Sequence, residues 1–196
     1  MLSSVFRKTM WDRRGGFIWW SIGMLAITAI TVAFWPTLSS DSDALMELME
    51  GLPEGMLNLF GANEAIDFLT GPGFVNSRVY ASVGSFIAIF FAISMGTAAV
   101  AGEEDKRTMD MLLANPIPRD RVVLETFAAQ IVLTTVLAGL VWVALIVFNP
   151  ILDVGLSVAG VTAASIGMVL LALSFGSLAM MIGALTGKRS LAVGVS

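Results

Sequence analysis

Residues 17–35 read FIWWSIGMLAITAITVAFW, nineteen positions without a single charge. Coiled as an α-helix, that run covers roughly 28 Å, enough for the hydrocarbon core of a bilayer. Trp19 and Trp20 stand near one end and Trp35 at the other, where amphipathic rings settle at membrane–water boundaries. Pro36 follows and predicts a helix stop. Three further apolar runs are long enough to cross, at 79–101, 122–148 and 156–185. The third begins with turns suited to the membrane interface and ends at Asn149-Pro150. The last is longer than one perpendicular crossing needs, which implies tilt, a kink or extension beyond the bilayer. Residues 190–196 are apolar again and read as the start of a fifth span, so the chain is expected to continue beyond them.

The segments between these runs differ in basic residues. The first holds Arg7, Lys8, Arg13 and Arg14; the second only Arg78; the third Lys106, Arg107, Arg119 and Arg121; the fourth none; the fifth Lys188 and Arg189. Such alternation is the mark of a polytopic protein obeying the positive-inside rule. It predicts an all-α bundle of four complete transmembrane helices and the start of a fifth, forming a single membrane domain over 1–196. The N-terminus, 102–121 and 187–190 are then cytoplasmic, and 37–78 is external.

Composition supports the same class. The chain is 57% hydrophobic and 13% charged, with a mean hydropathy of +0.86, whereas soluble domains carry about 25% charged residues. The largest share of the acid falls outside, in Asp41, Asp43, Glu47, Glu50, Glu54, Glu64 and Asp67. No basic arm suited to nucleic acid is present. With no Cys and no His, disulfides, thiolate chemistry, the usual zinc sites and histidine acid–base catalysis are excluded.

Residues 1–16 read as an amphipathic interfacial helix, with Leu2, Val5, Phe6, Thr9 and Met10 on one side and Arg7, Lys8 and Arg14 on the other. The external segment carries two short helical patterns, one at Leu45, Met46, Leu48 and Met49 behind the cap-like Asp41-Ser42-Asp43, the other at Met56, Leu57, Leu59 and Phe60. Gly71-Pro72-Gly73 reads as a turn before re-entry. Gly160, Gly167 and Ser174 recur at sevens, as do Gly176 and Gly183, and small residues at such spacing let helices approach closely. No ionisable residue lies near the middle of a span and no Gly/Pro-broken span is evident, which argues against an ion-coupled carrier. Gln130, Thr134 and Thr135 read as inter-helix hydrogen-bonding groups.

Two motifs are considered and set aside. The stretch from Gly183 to Arg189 has three residues between its glycines and Arg after the Lys, whereas a phosphate loop needs four and a Ser or Thr hydroxyl. Glu103-Glu104-Asp105 could touch a cation, but consecutive acids rarely converge on one, so a solvated loop is the better reading.

The segment from Gly102 to Arg119 carries the function. Thr108 can cap a short helix whose Met109, Leu112 and Leu113 share a face, and Asn115-Pro116 ends it. A tethered cytoplasmic helix with an apolar face lies on the membrane or docks into a partner's groove. The residues leave both open.

The stretch resembles the intracellular coupling segment of ABC-2 type transporter permeases. Glu103 or Glu104 matches the family's acid after the second span, Thr108-Met109-Asp110-Met111-Leu112-Leu113 its short helix, and Pro116-Ile117-Pro118-Arg119 the turn into the third span. Arg107 stands where the family has Gly, and Pro118 where it has Ser or Thr. The resemblance implies the permease subunit of an ABC exporter, a multi-pass protein of a prokaryotic plasma membrane. It implies a pathway built with a second permease copy or paralogue, and a separate cytoplasmic ATP-binding subunit that holds and hydrolyses the ATP. The chain itself would hold no cofactor and would not be an enzyme. Glu103, Glu104, Arg107, Thr108, Met109, Asp110, Leu112, Leu113, Pro116 and Arg119 would form the ATPase-coupling interface. A membrane scaffold whose loop only docks a partner is the main alternative; an ion-coupled transporter is a weaker one.

Overall fold

Main-chain groups in lipid must be satisfied within the protein, and an uncharged run does so most simply as a helix. A computed structural model describes residues 5–50, 69–99 and 119–186, and every element among them is helical. Helix α1 is Val5–Glu50, α2 is Gly71–Val75, a π-helical turn follows at Asn76–Tyr80, α3 is Val83–Ala99, α4 is Arg119–Leu152 and α5 is Val158–Thr186. Four stretches, Val5–Ser40, Gly71–Thr97, Arg121–Leu152 and Val158–Leu185, are long and apolar enough to cross a membrane. Their outer faces are apolar, with Trp19 75% and Leu185 79% exposed. Water does not tolerate a continuous apolar surface of this kind, and lipid does. The chain is a multi-pass membrane protein.

The helices associate as two parallel pairs that are not neighbours in sequence. Phe6 N–H donates to Glu125 Oε2 at 3.0 Å, and the Trp35 indole N–H donates to the Asp153 carbonyl at 3.3 Å. These contacts are separated by 119 and 118 residues. The nearly constant offset means that α1 and α4 run side by side in one direction for roughly 43 Å. In the second pair, the Tyr80 hydroxyl meets Ser165 Oγ at 2.8 Å and Gly96 lies against Gly176. The α3–α5 contact is the most extensive in the bundle, and α1–α4 comes next. The shared core holds Met24, Phe91, Leu137, Val141, Leu145 and Ala172. Phe91 is gripped by Phe17 and Trp20 of α1, at ring-centroid distances of 5.9 and 6.2 Å.

Several expected boundaries differ. Pro36 does not stop α1, which continues to Glu50. The proline removes one helix hydrogen bond, but Trp35 beside it is anchored to Asp153 and lies 6.2 Å from the Phe74 ring. Ser39 and Ser40 hydroxyls also donate back to the Pro36 and Thr37 carbonyls. The helical pattern at 45–49 is therefore part of α1 and not a separate piece. The pattern at 56–60 lies outside the described residues, as do 187–196. From Val5 onward, the expected interfacial helix is likewise continuous with the first span, and the Phe6–Glu125 bond ties it to α4. Pro150 also sits inside its helix, just before α4 ends at Leu152.

The second span is interrupted, contrary to the expectation of unbroken helices. Thr70 caps α2, accepting the Gly73 N–H at 3.1 Å, so Gly71-Pro72-Gly73 is a first helical turn with Pro in its favoured place. After the π turn, a bend at Ala81-Ser82 precedes α3. The carbonyls freed there are recovered by hydroxyls: Ser82 Oγ donates to Ser77 O at 2.6 Å, and Ser85 Oγ donates to Tyr80 O. Such internal repair is what allows a break at membrane depth.

At the far end, α4 and α5 are joined by a tight loop. Asp153 and Gly155 have φ of 48° and 75°. The Asn149 side chain donates to the Leu156 carbonyl at 3.0 Å and accepts the Leu156 N–H at 2.8 Å, closing the loop.

Candidate functional site

The end of the bundle where α1 and α4 begin is also where α3 and α5 end. At that end α3 thus stops before the segment 100–118 and α4 starts after it. Of the residues expected to couple, Glu103, Glu104, Arg107, Thr108, Met109, Asp110, Leu112, Leu113 and Pro116 lie outside the described residues. Arg119 opens α4.

Two constructions flank that segment. The first is electrostatic. Glu125 accepts the Phe6 main-chain N–H through Oε2 and the Arg121 Nε–H through Oε1, at 3.0 and 2.9 Å. A carboxylate beside the first described turn of α1 complements the positive end of that helix. Glu125 was not singled out from sequence, although Arg121 four residues before it forms an i,i+4 pair that could have drawn attention. Nearby on α1, the Arg14 guanidinium lies 3.6 Å from the Trp11 ring centroid, an exposed cation–π contact.

The second is a close crossing of α3, α4 and α5. A β-carbon at Gly96 would stand 2.2 Å from the Gly176 carbonyl oxygen. A β-carbon at Gly176 would stand 1.8 Å from Gln130 Nε2 and 3.0 Å from Ala92 Cβ. At Gly96 the neighbour is main chain and only glycine permits the approach, whereas at Gly176 the nearest atom is the movable end of the Gln130 side chain. Gly84, Ala88, Ala92 and Gly96, all buried, form a ridge of small residues at four-residue spacing along α3. That spacing was a signal the sequence reading did not use.

The small residues singled out on α5 divide between its faces. Gly176 and Gly183 are buried, whereas Gly160, Gly167 and Ser174 are exposed, Gly160 at the edge of a groove shared with Pro72, Val75, Asn76 and Tyr80. An added β-carbon at Gly167 would touch nothing within 4 Å, and one at Gly160 only the Ser157 hydroxyl.

Gln130 and Thr134 are 0% and 1% exposed. Neither the Gln130 amide ends nor Thr134 Oγ1 has a hydrogen-bond partner among the described residues, so the expected inter-helix bonds are not made. Thr135 is exposed and lines a shallow groove between α4 and α5. The inter-helix bonds that do form lie elsewhere, with the Trp142 indole N–H donating to Thr162 Oγ1 at 2.9 Å. Toward the far end, an open groove of about 470 Å³ on the α1 flank is lined by Ile30, Phe34, Leu38, Phe74 and Arg78. No group of His, Cys, Asp or Glu suited to a metal ion occurs among the described residues.

No curated protein and no solved structure matches the chain. Its sequence does match, over residues 4–196, the family described as ABC-2 family transporter protein. With four membrane-capable helices in the same stretch, the chain belongs to the ABC-2 family of transporter proteins.

Proposed function

We propose that the chain is the membrane-spanning permease subunit of an ABC exporter, with its N-terminus in the cytoplasm of a prokaryotic cell. It builds the translocation pathway with a second permease copy or paralogue. A separate ATP-binding subunit docks on the segment 102–121, whose helix around Thr108–Leu113 converts closure of that subunit into movement of the spans. Glu103, Glu104, Arg107, Met109, Asp110, Leu112, Pro116 and Arg119 contribute to that contact.

The observation that carries this reading is the family match along nearly the whole chain. The flanks of 100–118 support it. α3 and α4 are each packed against another long helix, so a push on the segment between them acts on the whole bundle and not on a loose loop. Two packings related by a shift of helices are what alternating access requires.

The test is to solubilise the tagged full-length protein from its native membrane and assay the purified complex. An ATP-hydrolysing subunit should accompany it, released when 102–121 is replaced by a Gly/Ser linker. Retention of that subunit on the linker variant would remove the coupling role.

A further inference from the structure

We propose that the Gly96–Gly176–Gln130 crossing is the cytoplasmic gate of the pathway, and that Gln130 and Thr134 are the groups that meet water and neutral, hydrogen-bonding parts of the cargo when it opens. The inference rests on the permease reading and assigns the gate to particular residues.

Gln130 and Thr134 are one turn apart on α4 and share a face. Gln130 lies five residues, roughly 7.5 Å along the axis, beyond Glu125 and its pair with Arg121. The crossing is thus just inside the charged end of the bundle. Leaving a buried amide unpaired at both ends is costly, and a merely structural site would carry Leu or Met. The arrangement makes sense if the closed packing is one of two states and the amide is paired in the other. The seam beside it suits movement. At this point Gly96 and Gly176 bring the α3 and α5 main chains into contact with no side chain of their own between them, which suits a local sliding displacement.

The chemistry also limits the cargo. The buried polar residues among the described positions are Ser, Thr and Gln, with no charged side chain. A permanently charged group passing here would find no counter-ion, whereas hydroxyl, amide or ether groups on an otherwise apolar molecule would find both donors and acceptors.

Residues 1–196 contain no cysteine, so a thiol introduced among them reports on one position when compared with the unaltered protein. In inside-out membrane vesicles carrying the full-length protein with its partners, Thr134→Cys should react with a charged, impermeant methanethiosulfonate at least tenfold faster than Ala129→Cys. Ala129 is equally buried and closer to the cytoplasm, so depth alone would favour it, and both substitutions nearly conserve volume. Equal rates, or faster labelling at 129, would overturn the proposal. A second variant, Gln130→Leu, removes the unpaired amide and should raise the unfolding midpoint of the purified protein by about 2–4 °C; a fall would show that the amide serves the closed packing and would overturn the proposal. Neither readout depends on transport, so failure of the gate and failure of the permease assignment are seen separately.

Discussion

Gly176 leaves the space that the Gln130 amide occupies: a β-carbon there would stand 1.8 Å from Nε2, while the amide itself finds no hydrogen-bond partner among the described residues. A close helix crossing and a buried, unpartnered amide therefore share one point. Fit alone would not select that combination.

Gly176→Ala should destabilise the protein by about 1–3 kcal/mol, the usual cost of overpacking a filled site. Shortening the opposing residue should relieve it. Thermal unfolding of Gly176→Ala, Gln130→Ala and the double variant measures this directly, and the double variant should be more stable than the sum of the single losses predicts. Additive losses would mean that the two residues do not touch.

Trp35→Phe keeps the ring packed against Phe74 but removes the indole donor to the Asp153 carbonyl. A loss of about 1 kcal/mol is expected, the net worth of one such bond. Denaturant unfolding in detergent tests it, and an unchanged midpoint would mean that the α1–α4 pairing at the far end does not depend on this bond.

Glu125→Gln removes the charge that accepts from Phe6 N–H and Arg121. The start of α1 should loosen from α4 while the spans stay intact. Hydrogen exchange at residues 6–9 should accelerate, with no change at residues 24–32. Uniform acceleration would point to global destabilisation instead.

Much of the fold is legible in the sequence because each of its determinants is local. Uncharged runs define four crossings, and the Lys/Arg alternation predicts their orientation. What the sequence conceals is non-local. That α1 pairs with α4, and α3 with α5, depends on matching surfaces far apart in the chain, such as Gly96 with Gly176. The helix past Pro36 was misread because proline's local cost is offset by Trp35 reaching a distant loop. The break at 76–82 was missed because its repair comes from Ser82 and Ser85, ordinary residues whose hydroxyls matter only once the helix bends. Gln130 and Thr134 were noticed for their polarity, but their lack of partners is visible only in three dimensions. The proposed coupling helix rests on the sequence alone, where its apolar face and its capping and stop residues lie within a dozen positions; it falls outside the described residues.

The orientation is tested by single cysteines at Asp43 and Lys106, which the Lys/Arg distribution puts on opposite sides of the membrane. In intact cells an impermeant maleimide should label the first and spare the second. Labelling of both would break the topology, and labelling of the second alone would reverse it.

The coupling helix is tested most directly by Leu112→Asp. It puts a charge on the face formed by Met109, Leu112 and Leu113, at a cost of about 2–4 kcal/mol if that face is buried in the ATP-binding subunit. Membrane insertion should be unaffected, since the spans are untouched. Co-purification of the ATP-binding subunit and ATP-driven transport should both fall at least tenfold relative to the unaltered protein. Normal complex formation together with normal transport in the Leu112→Asp protein would contradict the coupling role of this helix.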